Sequence, residues 1–239
     1  MLAQSAHRRC QHTERSYRWG IEMIYVYHAV QTRSRSWAEV SNVFQNSASQ
    51  YLQAQGGKLY GIFRNQIGRP RDELSVITAW PQERQTHDEN SFFACVGNDL
   101  LSVDSRPMRP TIQPDDFLPP TRQGNFAFCW FETPPANYDD FIALCEAAWP
   151  GFESSYDSQV LGLWRLEESQ GSTSNTVKTL SLTRRPDLAM WERSKIPLGV
   201  AEEKVREQLS RRYELCDATW VFTTTLLTAR DHADEVKWA

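Results

Sequence analysis

Histidine and arginine side chains inside predicted strands are the first candidates for chemistry in this sequence. His28 lies in the middle of the segment IYVYHAVQ. Its imidazole could act as a general base, or as an iron ligand if the protein bound haem. Arg64 and Arg165 each follow an aromatic residue in two similar segments, and a guanidinium can clamp a carboxylate or an enol oxygen. Two plainer roles stay open: a hydrogen-bonded core histidine, and arginines at strand edges that face water.

Polar residues alternate with leucines in the strand segment 176–184. If Leu180 and Leu182 pack on helices, the polar residues between them face the interior of the fold. Val76, Thr78 and Trp80 in the segment 73–80 should then face the interior too. Polar groups in an enclosed space need partners, which are one another, water or a ligand. The predicted ligand-binding residues are therefore Arg64, Thr78, Trp80, Arg165, Thr179, Ser181 and Thr183.

Composition and motifs exclude several function classes. The net charge is −4, which disfavours nucleic acid as a partner. The five cysteines form no CxxC pair, so a disulfide framework or a zinc site is not expected, and a cytoplasmic protein fits best. No apolar run is long enough to span a membrane. No P-loop, GxGxxG, GxSxG or HExxH motif occurs. We therefore predict no metal and no cofactor, with haem as a disfavoured alternative.

An internal repeat organises the elements that must position these residues. With a shift of 101 residues, Gly61 falls on Gly162 and Arg64 falls on Arg165; with a shift of 105, Pro81 falls on Pro186. The first copy has predicted strands at 24–31, 58–66, 73–80 and 99–105, and helices at 36–55 and 83–95. The second copy has predicted strands at 125–132, 158–167, 176–184 and 218–228, and helices at 137–153, interrupted near Pro150, and at 187–215.

The order βαββαβ, found twice, predicts an α+β fold. A four-stranded sheet with helices on one face leaves its other face bare, so two units should bury these faces together as one intramolecular α/β barrel. We divide the chain into a tail at 1–20, a first unit at 21–106, a proline-rich linker at 107–123, a second unit at 124–230 and a tail at 231–239. The first tail is a disordered segment, an arginine-rich transit peptide, or a stretch that precedes a true start at Met23.

Two segments resemble known domains. GGKLYGIFRNQIGRPRDELSVITAW (56–80) resembles the NIPSNAP domain, and LSLTRRPDLAMWERSK (180–195) is similar to the strand-then-helix stretch of NIPSNAP and antibiotic-biosynthesis-monooxygenase domains. Both domains belong to the dimeric α/β-barrel group, so the resemblance implies a tandem pair that closes its barrel within one chain. The functions of the family are diverse, so the resemblance implies no reaction.

Three functions stay open on the sequence alone. The first is a NIPSNAP-type barrel that binds a small hydrophobic or aromatic molecule without a known reaction. The second is a cofactor-independent monooxygenase or isomerase for an aromatic or polyketide-like substrate, with His28 as base and arginine stabilising an oxyanion. The third is a non-catalytic interaction protein. A homodimer is compatible with each of them.

Overall fold

Eight strands and six α-helices form the described part of the chain, which comprises residues 23–81, 89–167 and 175–231 of a computed structural model. The strands are β1 (Met23–Thr32), β2 (Lys58–Ile67), β3 (Glu73–Pro81), β4 (Leu100–Pro110), β5 (Asn125–Thr133), β6 (Gln159–Leu166), β7 (Val177–Arg185) and β8 (Ala218–Leu226). The helices are α1 (Trp37–Val43), α2 (Ser49–Ala54), α3 (Glu89–Ala94), α4 (Tyr138–Tyr156), α5 (Leu188–Arg193) and α6 (Val200–Glu214).

The strands close into one antiparallel barrel, in the order β1-β3-β2-β8-β5-β7-β6-β4. In each half a central strand, β1 or β5, pairs on both sides, and the barrel closes where β2 pairs with β8 and β4 pairs with β6. The bulge just before Gly61 in β2 has a counterpart just before Gly162 in β6. These features confirm the predicted fold class, an α+β barrel of two ferredoxin-like units.

Both faces of each half-sheet are buried. The face toward the barrel axis carries an interior core of mostly aromatic residues, including Tyr25, Tyr27, Tyr60, Phe126, Phe128, Trp130, Trp164, Leu180 and Leu182. The opposite face packs against α1–α3 in the N-terminal half and against α4 and α6 in the C-terminal half. The prediction that Leu180 and Leu182 pack on helices is therefore wrong, because the facing half-barrel is the more apolar of the two environments.

The same correction applies to the N-terminal half. Val76 and Trp80 pack with α1–α3 rather than with the interior core. In β1, Tyr25 and Tyr27 line the interior, so His28 lies on the opposite face of the strand. Aromatic rings fill the inside of the barrel, where Tyr25, Tyr60 and Trp164 form mutual contacts with centroids 5.5 to 6.0 Å apart. The interior is therefore packed as a structural core.

Several element boundaries differ from the sequence prediction, three of them with a clear physical reason. The single helix expected at 187–215 is two helices, because Pro197 and Gly199, whose φ is +93°, separate α5 from α6. α4 continues through Pro150 instead of breaking there. β4 extends to Pro110, into the expected linker, since Met108 is buried in the interior core. The expected tail at 1–20 lies outside the described residues, as do residues 232–239 of the expected tail at 231–239 and residues 83–88 of the expected helix at 83–95.

Candidate functional site

A cavity of about 110 Å³ lies between the outer face of the C-terminal half-sheet and helices α4, α5 and α6. We call it the C-terminal cavity. Among the described residues, its lining combines aromatic, hydroxyl and basic side chains without a carboxylate. The residues are Cys129, Trp149, Phe152, Val160, Ser181, Thr183, Arg185, Trp191, Ser194, Lys195, Arg206, Leu209, Arg212 and Tyr213. The part of the chain that the structure describes thus places four basic groups and no carboxylate around one small space.

Arg185, at the end of β7, is the most enclosed cation on the strand side of this cavity. Only 9% of the residue is exposed. Its guanidinium lies 4.3 Å from the ring centroid of Trp191 and 5.0 Å from that of Phe152, and Nη1 donates a 3.1 Å hydrogen bond to Thr183 Oγ1. Burial lowers the pKa of Arg185, and the nearby charge of Arg212 lowers it further. Its Nε has no hydrogen-bond acceptor among the described residues.

Arg212 approaches the cavity from α6 and is 6% exposed. Its guanidinium packs 4.6 Å from the ring centroid of Phe131 and 5.1 Å from that of Tyr213. The Nη1 atom lies 3.7 Å from the Cys145 sulfur, and Nε has no acceptor in the part of the chain that the structure describes. Within that same part, no carboxylate forms a salt bridge with Arg212 or Arg185. Two buried positive charges therefore share one cavity without a counter-ion from those residues.

Cys129 is the thiol that faces this pair of arginines. Burial raises the pKa of its thiol, and the charges of Arg185 and Arg212 only partly oppose that effect. The thiol is therefore protonated at neutral pH and is a weak nucleophile. The chemistry that the cavity offers is the binding and stabilisation of negative charge, beside aromatic surfaces that suit a planar group.

A second cavity, more open and about 540 Å³ in volume, lies on the N-terminal half. We call it the N-terminal arginine pocket. It lies where the β1–α1 turn meets the β2–β3 turn, and it is lined by Ser34, Arg35, Trp37, Ala38, Arg64, Arg71 and Asp72. The guanidinium of Arg64 stacks on the ring of Trp37, 3.8 Å from its centroid. Arg165 makes the matching contact in the other half, 5.6 Å from the Tyr138 ring centroid.

His28 lies on the helix-facing side of β1 and lines neither cavity. Its ring nitrogens lie 2.8 Å from Ser105 Oγ and 2.9 Å from Thr78 Oγ1. Trp80 Nε1 donates to the same Thr78 oxygen, at 2.9 Å. Three predicted site residues thus form one buried polar network instead of facing a cavity. The surroundings of His28 do not favour its predicted role as a base, since burial lowers the pKa of its imidazole to about 3.

Acid should weaken the fold through His28. Between pH 6.5 and about 3 the imidazole is protonated in the unfolded protein and neutral in the folded protein. The free energy of unfolding therefore falls as the pH decreases through this window. The loss is about 1.4 kcal/mol per pH unit. We expect the wild type to lose about 2 kcal/mol more than His28→Gln between pH 6.5 and pH 5, as measured by urea unfolding. Glutamine does not titrate, so equal losses in both proteins would contradict a buried neutral imidazole.

The remaining predicted residues divide between the two cavities and other places. Ser181 and Thr183 line the C-terminal cavity, and Arg64 lines the N-terminal arginine pocket. Thr179 lies beside Tyr138 instead, and Arg165 is exposed. The ligand roles of all these residues remain predictions.

The sequence reasoning missed Arg185 and Arg212. Arg185 is the next member of the alternating series of Thr179, Ser181 and Thr183, so strand parity could have identified it. Arg212 lies seven residues after Val205, about two helical turns along the apolar face of α6. This helical spacing could have identified Arg212 as facing the sheet.

Comparison with solved structures shows the fold of the chain. A proposed monooxygenase from Lactobacillus acidophilus NCFM is 9% identical, with a TM-score of 0.56 over 87% of this chain and 97% of that chain. An anthrone oxidase-like protein is 12% identical, with a TM-score of 0.52 over 86% and 92%. A mutant chlorite dismutase from Candidatus Nitrospira defluvii is 9% identical, with a TM-score of 0.54 over 85% and 90%. No protein-family model and no curated protein matches the chain.

A heme-binding protein from Thermus thermophilus has the same fold, with 11% identity and a TM-score of 0.51 over 86% of this chain and 92% of that chain. The residues here do not fit haem. Both ring nitrogens of His28, the sole histidine among the described residues, have hydroxyl partners. The C-terminal cavity, at about 110 Å³, is too small to enclose a group of the size of haem.

None of the helices in the described ranges is both long and apolar enough to cross a membrane.

Proposed function

We propose that this protein binds a small organic anion with a planar, unsaturated body in the C-terminal cavity. The observation that carries this proposal is the convergence of two buried guanidiniums on one space to which the described residues contribute no carboxylate. Burying cations without counter-ions is costly unless something compensates them. A bound anion supplies that compensation, while the rings of Phe152 and Trp191 suit a flat ligand.

The first test is binding of benzoate, a small anion with a flat aromatic ring. Benzyl alcohol is the neutral control of similar shape. We expect benzoate to bind at least about tenfold more tightly by isothermal titration calorimetry, because a charged acceptor adds at least about 1.5 kcal/mol per hydrogen bond. Equal affinity for the two compounds would show that charge is not recognised.

A second candidate is a cofactor-independent monooxygenase. The names of two proteins of this fold favour it, one a proposed monooxygenase and the other anthrone oxidase-like. In such a reaction an activated ring CH₂ loses two hydrogens and gains one oxygen atom of O₂, and the other oxygen leaves as water. Arg185 and Arg212 would stabilise the enolate that donates electrons to O₂. Oxygen uptake with anthrone, absent in Arg185→Met, would support this candidate.

The proposal still describes a NIPSNAP-type barrel that binds a small hydrophobic or aromatic molecule. The proposed ligand site is the C-terminal cavity rather than the inside of the barrel, because aromatic residues fill the inside. That filled interior also agrees with a barrel whose own role is structural, as in an interaction protein. A homodimer and a cytoplasmic location remain predictions.

A further inference from the structure

The first half of β8 forms an exposed edge of the barrel. Among the described residues, Ala218–Phe222 pair with β5 alone, because pairing with β2 begins only at Thr223. Four consecutive residues, 218–221, are exposed, and Trp220 and Val221 keep 41% and 44% of their surfaces accessible. An open edge that carries β-branched and aromatic residues can pair with a further strand.

The equivalent edge in the N-terminal half is protected by charge. Aligned through the central strands β1 and β5, Asp104 of β4 takes the position of Trp220. Arg106, which takes the position of Phe222, forms a 2.6 Å salt bridge with Asp104. Pro107 follows in the same strand. Charged side chains and proline are common means by which proteins keep strand edges from pairing, so the two halves differ in this protection.

The backbone of Thr219 faces the open edge of β8. In an antiparallel strand, the N–H and C=O groups of alternate residues face the same neighbouring strand. Directly after β8, Leu227 N donates a 2.8 Å hydrogen bond to Ile62 O of β2, so the odd-numbered residues of β8 face that side. The Val221 carbonyl oxygen agrees, since it lies 3.3 Å from the position of a Cβ on Gly68, directly after β2. Thr219 lies two residues further along this edge.

We propose that two copies of this chain form a symmetric dimer, in which the open edges of β8 pair antiparallel about a two-fold axis beside Thr219. Identical strands are self-complementary in this arrangement, since each copy offers the same donors and acceptors to the other. The segment 218–222 carries no charge that would repel its copy, and Asp217 lies at the end of the segment, away from the axis. One face of Trp220 stacks on Trp130, with ring centroids 5.9 Å apart, and the second copy covers the exposed part.

Exposed side chains beside the edge enlarge the surface that the dimer can bury. Ile67, which pairs with Thr223 at the end of β2, is 58% exposed. Tyr213 of α6 is 44% exposed and lies 6.0 Å, centroid to centroid, from Phe131, the partner of Thr219 in β5. A stable interface buries about 800 Å² on each partner, which is more than a short strand edge provides. We therefore expect a dimer that dissociates on dilution.

Sedimentation velocity of the full chain over a range of concentrations tests this proposal. We expect the wild type to dimerise reversibly and Thr219→Lys to weaken the dimer at least about tenfold, because like charges then face each other at the axis. Thr219→Pro should act similarly, since it removes the edge N–H and retains the pairing with β5. Leu101→Lys is the matched control, because it replaces an apolar residue of β4 that is 57% exposed, and it should leave dimerisation unchanged. Far-UV circular dichroism shows whether each variant is folded.

Hydrogen exchange locates the interface independently. The amide of Thr219 should exchange more slowly in concentrated than in dilute protein, whereas the amide of Leu101 should exchange at the same rate in both. A wild type that stays monomeric at concentrations up to about 0.1 mM would overturn the proposal. So would a dimer that survives both substitutions at residue 219, or one that Leu101→Lys weakens equally, because its interface would then lie elsewhere.

Discussion

Replacement of Arg185 by methionine is expected to weaken benzoate binding at least about thirtyfold while leaving the protein folded. Removing one partner of a buried, hydrogen-bonded charge pair costs about 2–5 kcal/mol of binding free energy, which corresponds to that factor or more. Methionine retains much of the volume between Trp191 and Phe152, so the walls of the cavity stay separated. Calorimetric titration of wild type and variant with benzoate measures the effect.

The stability of the same variant distinguishes a functional arginine from a structural one. A buried cation without a counter-ion destabilises the free protein, whereas its contacts with the two rings stabilise it by about 0.5–2 kcal/mol. We therefore expect the free energy of unfolding of Arg185→Met to fall by no more than about 1 kcal/mol, or to rise. An unchanged benzoate affinity in a folded variant would contradict the assigned site.

Arg184 supplies a matched control in the neighbouring position. It is also buried, but its Nε donates a 2.6 Å hydrogen bond to the carbonyl of Gln123, and it lines neither cavity. Arg184→Met removes a charge-assisted hydrogen bond to that half-buried carbonyl, so it should cost about 1–3 kcal/mol of stability. Benzoate affinity should remain at the wild-type value.

Element order and fold class could be predicted because strong local signals agree with each other. Gly61 and Gly162 lie at equivalent bulges, as the shift of 101 residues suggested. The shared register supports an ancestral duplication, which stays a hypothesis. Boundaries were less predictable where proline was the only guide, since Pro150 lies inside α4 whereas Pro197 lies between helices.

The orientation of the strands could not be predicted, for a physical reason. Alternation identifies a buried face only when the other face meets water, and here each strand lies between the barrel interior and a layer of helices. Leu180 and Ser181 are both buried, so parity alone could not assign them to sides. The location of the candidate site depends on which face of β7 packs against the helices. When Ser181 and Thr183 are assigned to the helix-facing side, Arg185 lies on the same face, and its positive charge belongs to the C-terminal cavity.

Substitution of Gly162 by alanine is expected to destabilise the protein by about 3 kcal/mol, at the upper end of the range for overpacked cores. A Cβ at this position would overlap the indole ring of Trp164, two residues later on the same strand. The indole cannot move aside easily, because the rings of Tyr25 and Tyr60 lie 5.6 and 6.0 Å from it, centroid to centroid. Urea unfolding measures the loss, and a change below about 0.5 kcal/mol would contradict a packed interior.

Two further variants separate the clash from a general intolerance of side chains at the bulges. Gly61→Ala tests the equivalent bulge, where the new Cβ would lie 2.8 Å from the edge of the Phe63 ring, so a smaller loss is expected. Trp164→Leu creates space beside residue 162. In that background Gly162→Ala should cost at least about 1 kcal/mol less than in the wild type, because the two side chains interact directly. Additive losses would instead attribute the effect of alanine to the backbone of the bulge, and the indole would no longer explain why glycine occupies this position.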